Sequence, residues 1–121
     1  MKKFKRLVTS LLVVSSMALC MTGISANAYS NSADFSLYYN KNGVSKTSQT
    51  VTIKASSDGI YGATISGITS GCSVDFDNGK LILSSGSASF YRTTAGTYAN
   101  IVVQLNYGSK TAANATGYIE S

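Results

Sequence analysis

The chain has 121 residues, with ten Lys and Arg against five Asp and Glu, and it contains no His. Without His it lacks the usual general base near neutral pH and the commonest transition-metal ligand, so we expect a non-enzymatic protein without a cofactor. Four of the cations fall within residues 2–6, and the others are scattered singly. Phosphate binding needs clustered cations, so we expect no nucleic-acid partner.

The first 28 residues have the pattern of a secretory signal peptide. The basic run within residues 2–6 precedes a mainly apolar stretch over residues 7–21, and small residues follow at Ala26 and Ala28. Signal peptidase accepts short side chains at those two positions, which predicts cleavage between Ala28 and Tyr29. We therefore expect residues 1–28 to be removed.

Residues 29–121 have the length of a single small domain. They hold six cations and five acidic residues, so the domain is nearly neutral, and Cys72 is their one cysteine, which excludes an internal disulfide. They contain no second apolar stretch long enough to cross a membrane. We expect a secreted, extracellular domain with no membrane contact after leader removal, and the Lys-Lys leader indicates a bacterial source.

Apolar and polar residues alternate along this domain in short runs that Gly, Asn and Ser separate, which is typical of an all-β fold. Strands are predicted over residues 35–39, 50–55, 60–68, 72–76, 80–84, 88–92, 98–107 and 111–119. Asn78-Gly79 is the strongest hairpin signal on the chain. Seven or eight strands predict an antiparallel two-sheet sandwich, because a single sheet could not cover its own apolar face.

The segment Thr-Ala-Gly-Thr-Tyr over residues 94–98 leads into the longest strand. It resembles the corner before the penultimate strand of bacterial immunoglobulin-like domains. The resemblance implies an immunoglobulin-like sandwich in which Tyr98 is structural and bonds back to the main chain. Tyr98 shares its parity with Asn100 rather than Ile101, so either a β-bulge near Ala99 resets the alternation or Tyr98 is an ordinary strand residue.

Cys72 has three interpretations. A structural role as a small buried hydrophobe beside Val74 and Phe76 is favoured, because free cysteines are among the most buried residues. An unpaired thiol in a secreted chain can also join two copies through an intermolecular disulfide. A catalytic nucleophile is the third interpretation, although no His or basic neighbour would stabilise the thiolate.

The acidic pair Asp75 and Asp77, followed by Asn78, also has several interpretations. Two carboxylates on one strand face could act in a glycosidase, and the same cluster could bind calcium through its oxygen atoms. The position just before an Asn-Gly turn favours a structural explanation, a hairpin turn. We therefore predict no catalytic residue and no metal, and keep Asp75, Asp77 and Asn78 as a weak calcium candidate.

All eight tyrosines of the chain lie in residues 29–121. We predict that Tyr38, Tyr61 and Tyr91 are exposed and bind a ligand, because exposed aromatic rings beside polar side chains can stack on sugars or anchor protein surfaces. The prediction is a secreted binding module for a glycan or a surface protein. The alternatives are a structural or self-associating extracellular protein that pairs through edge strands, and a secreted antagonistic peptide or toxin.

Overall fold

The computed structural model describes residues 29–121, which form eight β-strands and no helix. The strands are β1 Ser32–Asn40, β2 Ser48–Lys54, β3 Ile60–Ile68, β4 Ser73–Phe76, β5 Leu81–Leu83, β6 Ser87–Tyr91, β7 Tyr98–Asn106 and β8 Ala112–Glu120. The predicted all-β class and strand number are confirmed. The predicted signal peptide, residues 1–28, lies outside the described residues. Within residues 29–121, no helix is long and apolar enough to span a membrane.

The strands form two antiparallel sheets, which confirms the predicted sandwich. The first sheet has the order β1-β8-β3-β6, and the second has the order β2-β7-β4-β5. Strands whose numbers add up to nine are paired: β1 with β8, β2 with β7, β3 with β6, and β4 with β5. This pairing is that of one long hairpin folded around a core. It gives the strand order of an eight-stranded jelly roll. Constant-type immunoglobulin domains share the two-sheet architecture but pair their first strand with their second.

The core lies between the two sheets, because residues two apart on a strand point to the same face. Leu37 on β1 and Ile101 on β7 are fully buried on the inner faces of the first and second sheets. The rings of Phe35 and Phe76, one from each sheet, meet edge to face with centroids 5.6 Å apart. Edge-to-face contact is a favoured geometry for aromatic pairs, so this pair joins the sheets across the core.

Gly117 lets β8 pack closely inside the first sheet. A Cβ atom at this position would overlap the carbonyl oxygen of Thr64 and lie 2.8 Å from the ring of Phe35. The pairing of β3 with β8 shifts register between Ile65 and Gly67, so a β-bulge lies beside this close contact. Any side chain at position 117 would therefore displace both the main chain of β3 and the core.

Candidate functional site

A surface groove of about 340 Å³ lies beside Tyr38 at one end of the first sheet. We call it the Tyr38 groove. Its lining residues are Tyr38, Tyr39, Asn40, Val44, Thr69, Ala112, Ala113 and Asn114. The side chain of Tyr38 is 40% exposed on the outer face of the sheet, where Asn114 is its partner on β8. The groove therefore combines an aromatic face, amide and hydroxyl groups, and no charged side chain.

Main-chain hydrogen bonds hold one wall of the Tyr38 groove in place. The Tyr38 N–H donates to the carbonyl oxygen of Lys46 (2.9 Å), and the Lys46 N–H donates to that of Tyr38 (2.7 Å). The Asn40 N–H donates to Ser45 Oγ at 2.9 Å. These bonds fix residues 41–47 along β1 and present Val44, which is 77% exposed, at the loop tip. The wall is therefore ordered before any ligand arrives.

Tyr39 anchors the groove to the core. It faces the opposite side of β1 from Tyr38, since neighbouring residues on a strand alternate in direction. Its ring stacks on that of Tyr107, with centroids 3.7 Å apart and an angle of 8° between the planes. Both side chains are half-buried, so the stack fixes the position of a groove-lining residue.

Tyr91 is exposed, but it does not lie near Tyr38. It stands on the outer face of β6 opposite Ile60, and its ring lies over Gly59. Its hydroxyl accepts a hydrogen bond from Thr93 Oγ1 at 3.2 Å. Three strand spacings and the offset along the strands separate it from Tyr38 by roughly 30 Å. A small ligand cannot contact both tyrosines.

Tyr61 is fully buried, which corrects the expectation that it is exposed to a ligand. It lies on the inner face of β3, and its ring stacks against Phe90 with centroids 5.8 Å apart. Its hydroxyl accepts from the Ser56 N–H (3.0 Å) and shares a hydrogen bond with Thr94 Oγ1 (2.8 Å). Tyr61 therefore links two loops from inside the sandwich.

The corner at residues 94–98 is fixed by Tyr61 rather than by Tyr98. Tyr98 is 61% exposed on the outer face of the second sheet, opposite Lys54. The pairing of β2 with β7 runs without a register shift from Tyr98 to Gln104, so no bulge resets the alternation. Tyr98 is an ordinary outward-facing strand residue, which corrects the structural role that the resemblance implied for it.

Cys72 lies in the core immediately before β4, where it is 3% exposed. Its N–H donates to the carbonyl oxygen of Thr69 at 3.1 Å, which closes the turn before the strand. The buried residues Val74 and Phe76 follow it on the same inner face. A second chain cannot reach this thiol while the sandwich is folded.

The segment with Asp75, Asp77 and Asn78 forms the turn between β4 and β5. Asp77 (φ 57°), Asn78 (φ 55°) and Gly79 (φ 91°) all adopt the left-handed conformation, which Asn, Asp and Gly tolerate best. The Gly79 N–H donates to Asp75 Oδ1 at 2.7 Å. The Asp75 carboxylate thus stabilises the turn.

Asp77 is buried between two cations. Its Oδ1 lies 3.3 Å from Arg92 Nη1, and its Oδ2 accepts no hydrogen bond but lies 3.3 Å from Lys80 Nζ. Arg92 also donates from Nη1 to the carbonyl oxygen of Asn100, so it ties β6 of the first sheet to β7 of the second. Two positive charges already balance this carboxylate, which opposes a calcium ion there. Within residues 29–121, no three His, Cys, Asp or Glu side chains are grouped to hold a metal.

A second groove, of about 400 Å³, lies beside Tyr29 and is lined by charged as well as neutral groups, among them Lys54 and Asp58. The Tyr29 ring rests on Gly62, where an added Cβ atom would lie 3.0 Å from it. Burial, together with the negative charges of Glu120 and Asp58, raises the pKa of the Tyr29 hydroxyl to about 12. This tyrosine stays neutral and acts as a packed side chain.

Sequence reasoning identified Tyr38 but missed Val44 and Asn114 in the same groove. A signal for Val44 was available, since it is the single apolar residue within the polar turn Asn-Lys-Asn-Gly-Val-Ser over residues 40–45. Asn114 carried no comparable signal, because its approach to Tyr38 depends on the pairing of β1 with β8.

The fold and the Tyr38 groove define an all-β sandwich domain with an uncharged surface groove. Comparisons of the sequence with protein-family models, with curated proteins and with solved structures found no match. Any function has to follow from the chemistry of the groove itself.

Proposed function

We propose that the protein is a secreted, non-enzymatic binding module that recognises a neutral glycan through the Tyr38 groove. The observation that carries the proposal is a partly exposed tyrosine ring beside Asn40, Thr69 and Asn114 in a groove without charged side chains. The aromatic face can pack against the C–H groups of a sugar ring. The amide and hydroxyl groups can both donate to and accept from sugar hydroxyls.

The groove wall is already ordered, which supports binding without a large conformational change. Loop residues 41–47 are already held by the paired bonds between Tyr38 and Lys46. Binding therefore does not include the entropic cost of ordering this loop. The groove is open and small, and it offers one aromatic platform. We expect modest affinity, with a Kd on the order of 0.1–1 mM for one site.

We also place the protein outside a bacterial cell. The leader pattern of residues 1–28 supports export, and the two-sheet sandwich is an architecture that immunoglobulin-like extracellular domains use. The jelly-roll strand order is one that lectin domains also use, although a shared fold is only an analogy for function. N-terminal sequencing of protein from culture medium should find Tyr29 first, and an intact leader would contradict export.

Glycan-array profiling of the chain from Tyr29 onward, followed by titration of the best ligand, tests the binding proposal. Tyr38→Ala should weaken binding at least tenfold, because it removes the aromatic platform while the main-chain bonds to Lys46 remain. Tyr98→Ala is the matched control, since it removes a tyrosine that is even more exposed, on the outer face of the other sheet. Equal loss in both variants, or no binding to any glycan, would contradict the proposal, and binding only to surface proteins would favour a protein ligand.

A further inference from the structure

The Tyr38 groove contains one amide side chain that the fold itself does not use. Asn40, the other amide in the lining, is engaged by the neighbouring turn, since its Oδ1 accepts from the Asn42 N–H at 3.0 Å. The side chain of Asn114 is exposed, and within residues 29–121 it makes no hydrogen bond. A primary amide offers two donors at Nδ2 and an acceptor at Oδ1. Asn114 is therefore available to a ligand in both roles.

Asn114 stands directly beside Tyr38 on the outer face of the first sheet. The two residues face each other on β8 and β1, but their main-chain groups bond to other partners. Those of Tyr38 bond to Lys46, and those of Asn114 bond to Thr69. In an antiparallel pair without mutual main-chain bonds, the Cα atoms lie about 4.5 Å apart and the side chains are close. A sugar packed on the tyrosine ring can therefore reach the amide with a ring substituent.

The hydroxyl of Thr69 adds a second polar group on the far side of Asn114. Its Oγ1 accepts from the Asn114 N–H at 2.9 Å, which uses one lone pair and leaves the O–H able to donate. The two side chains thus offer an acceptor at Asn114 Oδ1 and a donor at Thr69 Oγ1. A secondary amide needs this combination, because it donates through its N–H and accepts through its carbonyl oxygen.

Two apolar side chains in the same groove have no use for a ligand that carries hydroxyl groups alone. Val44 is 77% exposed at the tip of the loop over residues 41–47. Ala112 lies on the exposed face of β8, opposite Asn40. Removing a methyl group and its apolar partners from water is favourable. A ligand with a methyl group next to its polar groups would therefore use more of this groove than a plain hexose does.

We propose that the Tyr38 groove is specific for a neutral N-acetylated hexosamine, a sugar with an acetamido group at C2. The sugar ring packs on Tyr38, the acetamido N–H donates to Asn114 Oδ1, and the acetamido carbonyl accepts from the Thr69 hydroxyl. The acetyl methyl group contacts Val44 and Ala112. This inference rests on the glycan-binding function proposed above and names the class of sugar.

Other classes of sugar fit the same groove less completely. A plain hexose supplies hydroxyl groups but leaves the apolar side chains uncovered. A 6-deoxy sugar supplies a methyl group but no amide to pair with Asn114. An acidic sugar would bring a carboxylate into a groove whose lining has no cation, and removing a charge from water without a partner is costly. The acetamido group is the substituent that uses the polar and the apolar side chains together.

Two trisaccharides that differ only at C2 test the class of sugar. The β-1,4-linked trimer of N-acetylglucosamine carries an acetamido group where cellotriose carries a hydroxyl group. They are titrated by NMR into the chain from Tyr29 onward, which contains both sheets and the whole core. The acetylated trimer should bind about tenfold more tightly, through an added hydrogen bond and the methyl contact. The ring signals of Tyr38 should shift with both sugars, and the side-chain amide signals of Asn114 should shift most with the acetylated one.

The outcomes separate this inference from the proposed function. Equal affinity for the two trimers would overturn the inference and leave glycan binding in place. Binding of another glycan on the array, with neither trimer bound, would overturn it in the same way. Absence of binding to every glycan would contradict the proposed function itself, and the inference with it.

A matched pair of variants assigns the preference to Asn114. Asn114→Ala should bring the Kd for the acetylated trimer close to the Kd for cellotriose, because the ring of Tyr38 remains while the amide is lost. Thr116→Ala is the control, since Thr116 lies two residues further along the same exposed face of β8 and outside the groove. It should keep the preference. Equal effects of both variants, or a preference that survives Asn114→Ala, would overturn the inference. If Asn114→Ala loses its fold by circular dichroism, the shifts of the unmodified chain still decide.

Discussion

At the scale of single residues, the tyrosines divide by which face of a strand they occupy. Tyr61 and Tyr98 have the same chemistry, yet one is fully buried with a satisfied hydroxyl and the other is 61% exposed. A buried hydroxyl has to find hydrogen-bond partners, because losing water without replacing it is costly. The inward tyrosine is therefore the structural link at the corner, and the binding role that we propose falls on an outward tyrosine, Tyr38.

Tyr61→Phe should lower the free energy of unfolding by about 1–2 kcal/mol. The substitution keeps the ring and its contact with Phe90 but leaves the Ser56 N–H and the Thr94 hydroxyl without their partner. Urea unfolding followed by fluorescence measures the change. Tyr98→Phe is the control and should alter stability by less than about 0.5 kcal/mol, as exposed substitutions usually do. Equal effects of the two variants would contradict the role given to Tyr61.

At the scale of elements, the alternation of apolar and polar residues predicted where the strands lie, but it did not always predict which face of a strand points into the core. On β1 and β7 the alternation is regular, so the buried side is evident, and Tyr98 follows the outward parity of Asn100. On β3, Ile60, Ala63, Ile65 and Ile68 do not alternate, and a bulge between Ile65 and Gly67 shifts the pairing. The sequence of that strand does not specify its inner face, so the orientation of Tyr61 was not predictable.

Gly117→Ala should destabilise the domain by at least about 3 kcal/mol, at the upper end for overpacking a core. The new methyl group would collide with the Thr64 carbonyl and the ring of Phe35, so β3 and β8 would have to move apart. Gly67→Ala on the neighbouring strand is the matched control, since its added Cβ atom would meet only Thr116 Oγ1 at an ordinary 3.6 Å. Thermal and urea denaturation compare the two. Similar losses in both would show that close packing at Gly117 is not the cause.

At the scale of the whole molecule, the sheet order was beyond the reach of sequence patterns. Alternation and turn residues act over a few positions, so they predicted the short β4–β5 hairpin. The pairing of β1 with β8 places Ser32 opposite Glu120, which lie far apart in the sequence. Burial of the common core favours this pairing, and no local sequence signal indicates it. The approach of Asn114 to Tyr38, and hence the groove, depends on that long-range pairing.

Cys72 should report on opening of the whole sandwich. Because the thiol is 3% exposed in the core, a thiol reagent should modify the native domain about a thousandfold more slowly, or slower still, than the denatured chain. Labelling followed by mass spectrometry measures the two rates. A Thr116→Cys variant provides the control, since its added thiol lies on the surface and should react at once. Rapid labelling of native Cys72, or a disulfide-linked dimer on non-reducing gels, would contradict its burial.

The pairing of the first strand with the last also determines how the domain responds to tension. Ser32 and Glu120 face each other at one end of the β1–β8 ladder, and the Asn31 N–H donates to the Ser121 carbonyl beside them. A pull applied through residues 31 and 121 would therefore separate the two strands from that end, breaking their hydrogen bonds one after another. Such a geometry yields at low force, so the sandwich should offer little resistance to a pull between these two residues.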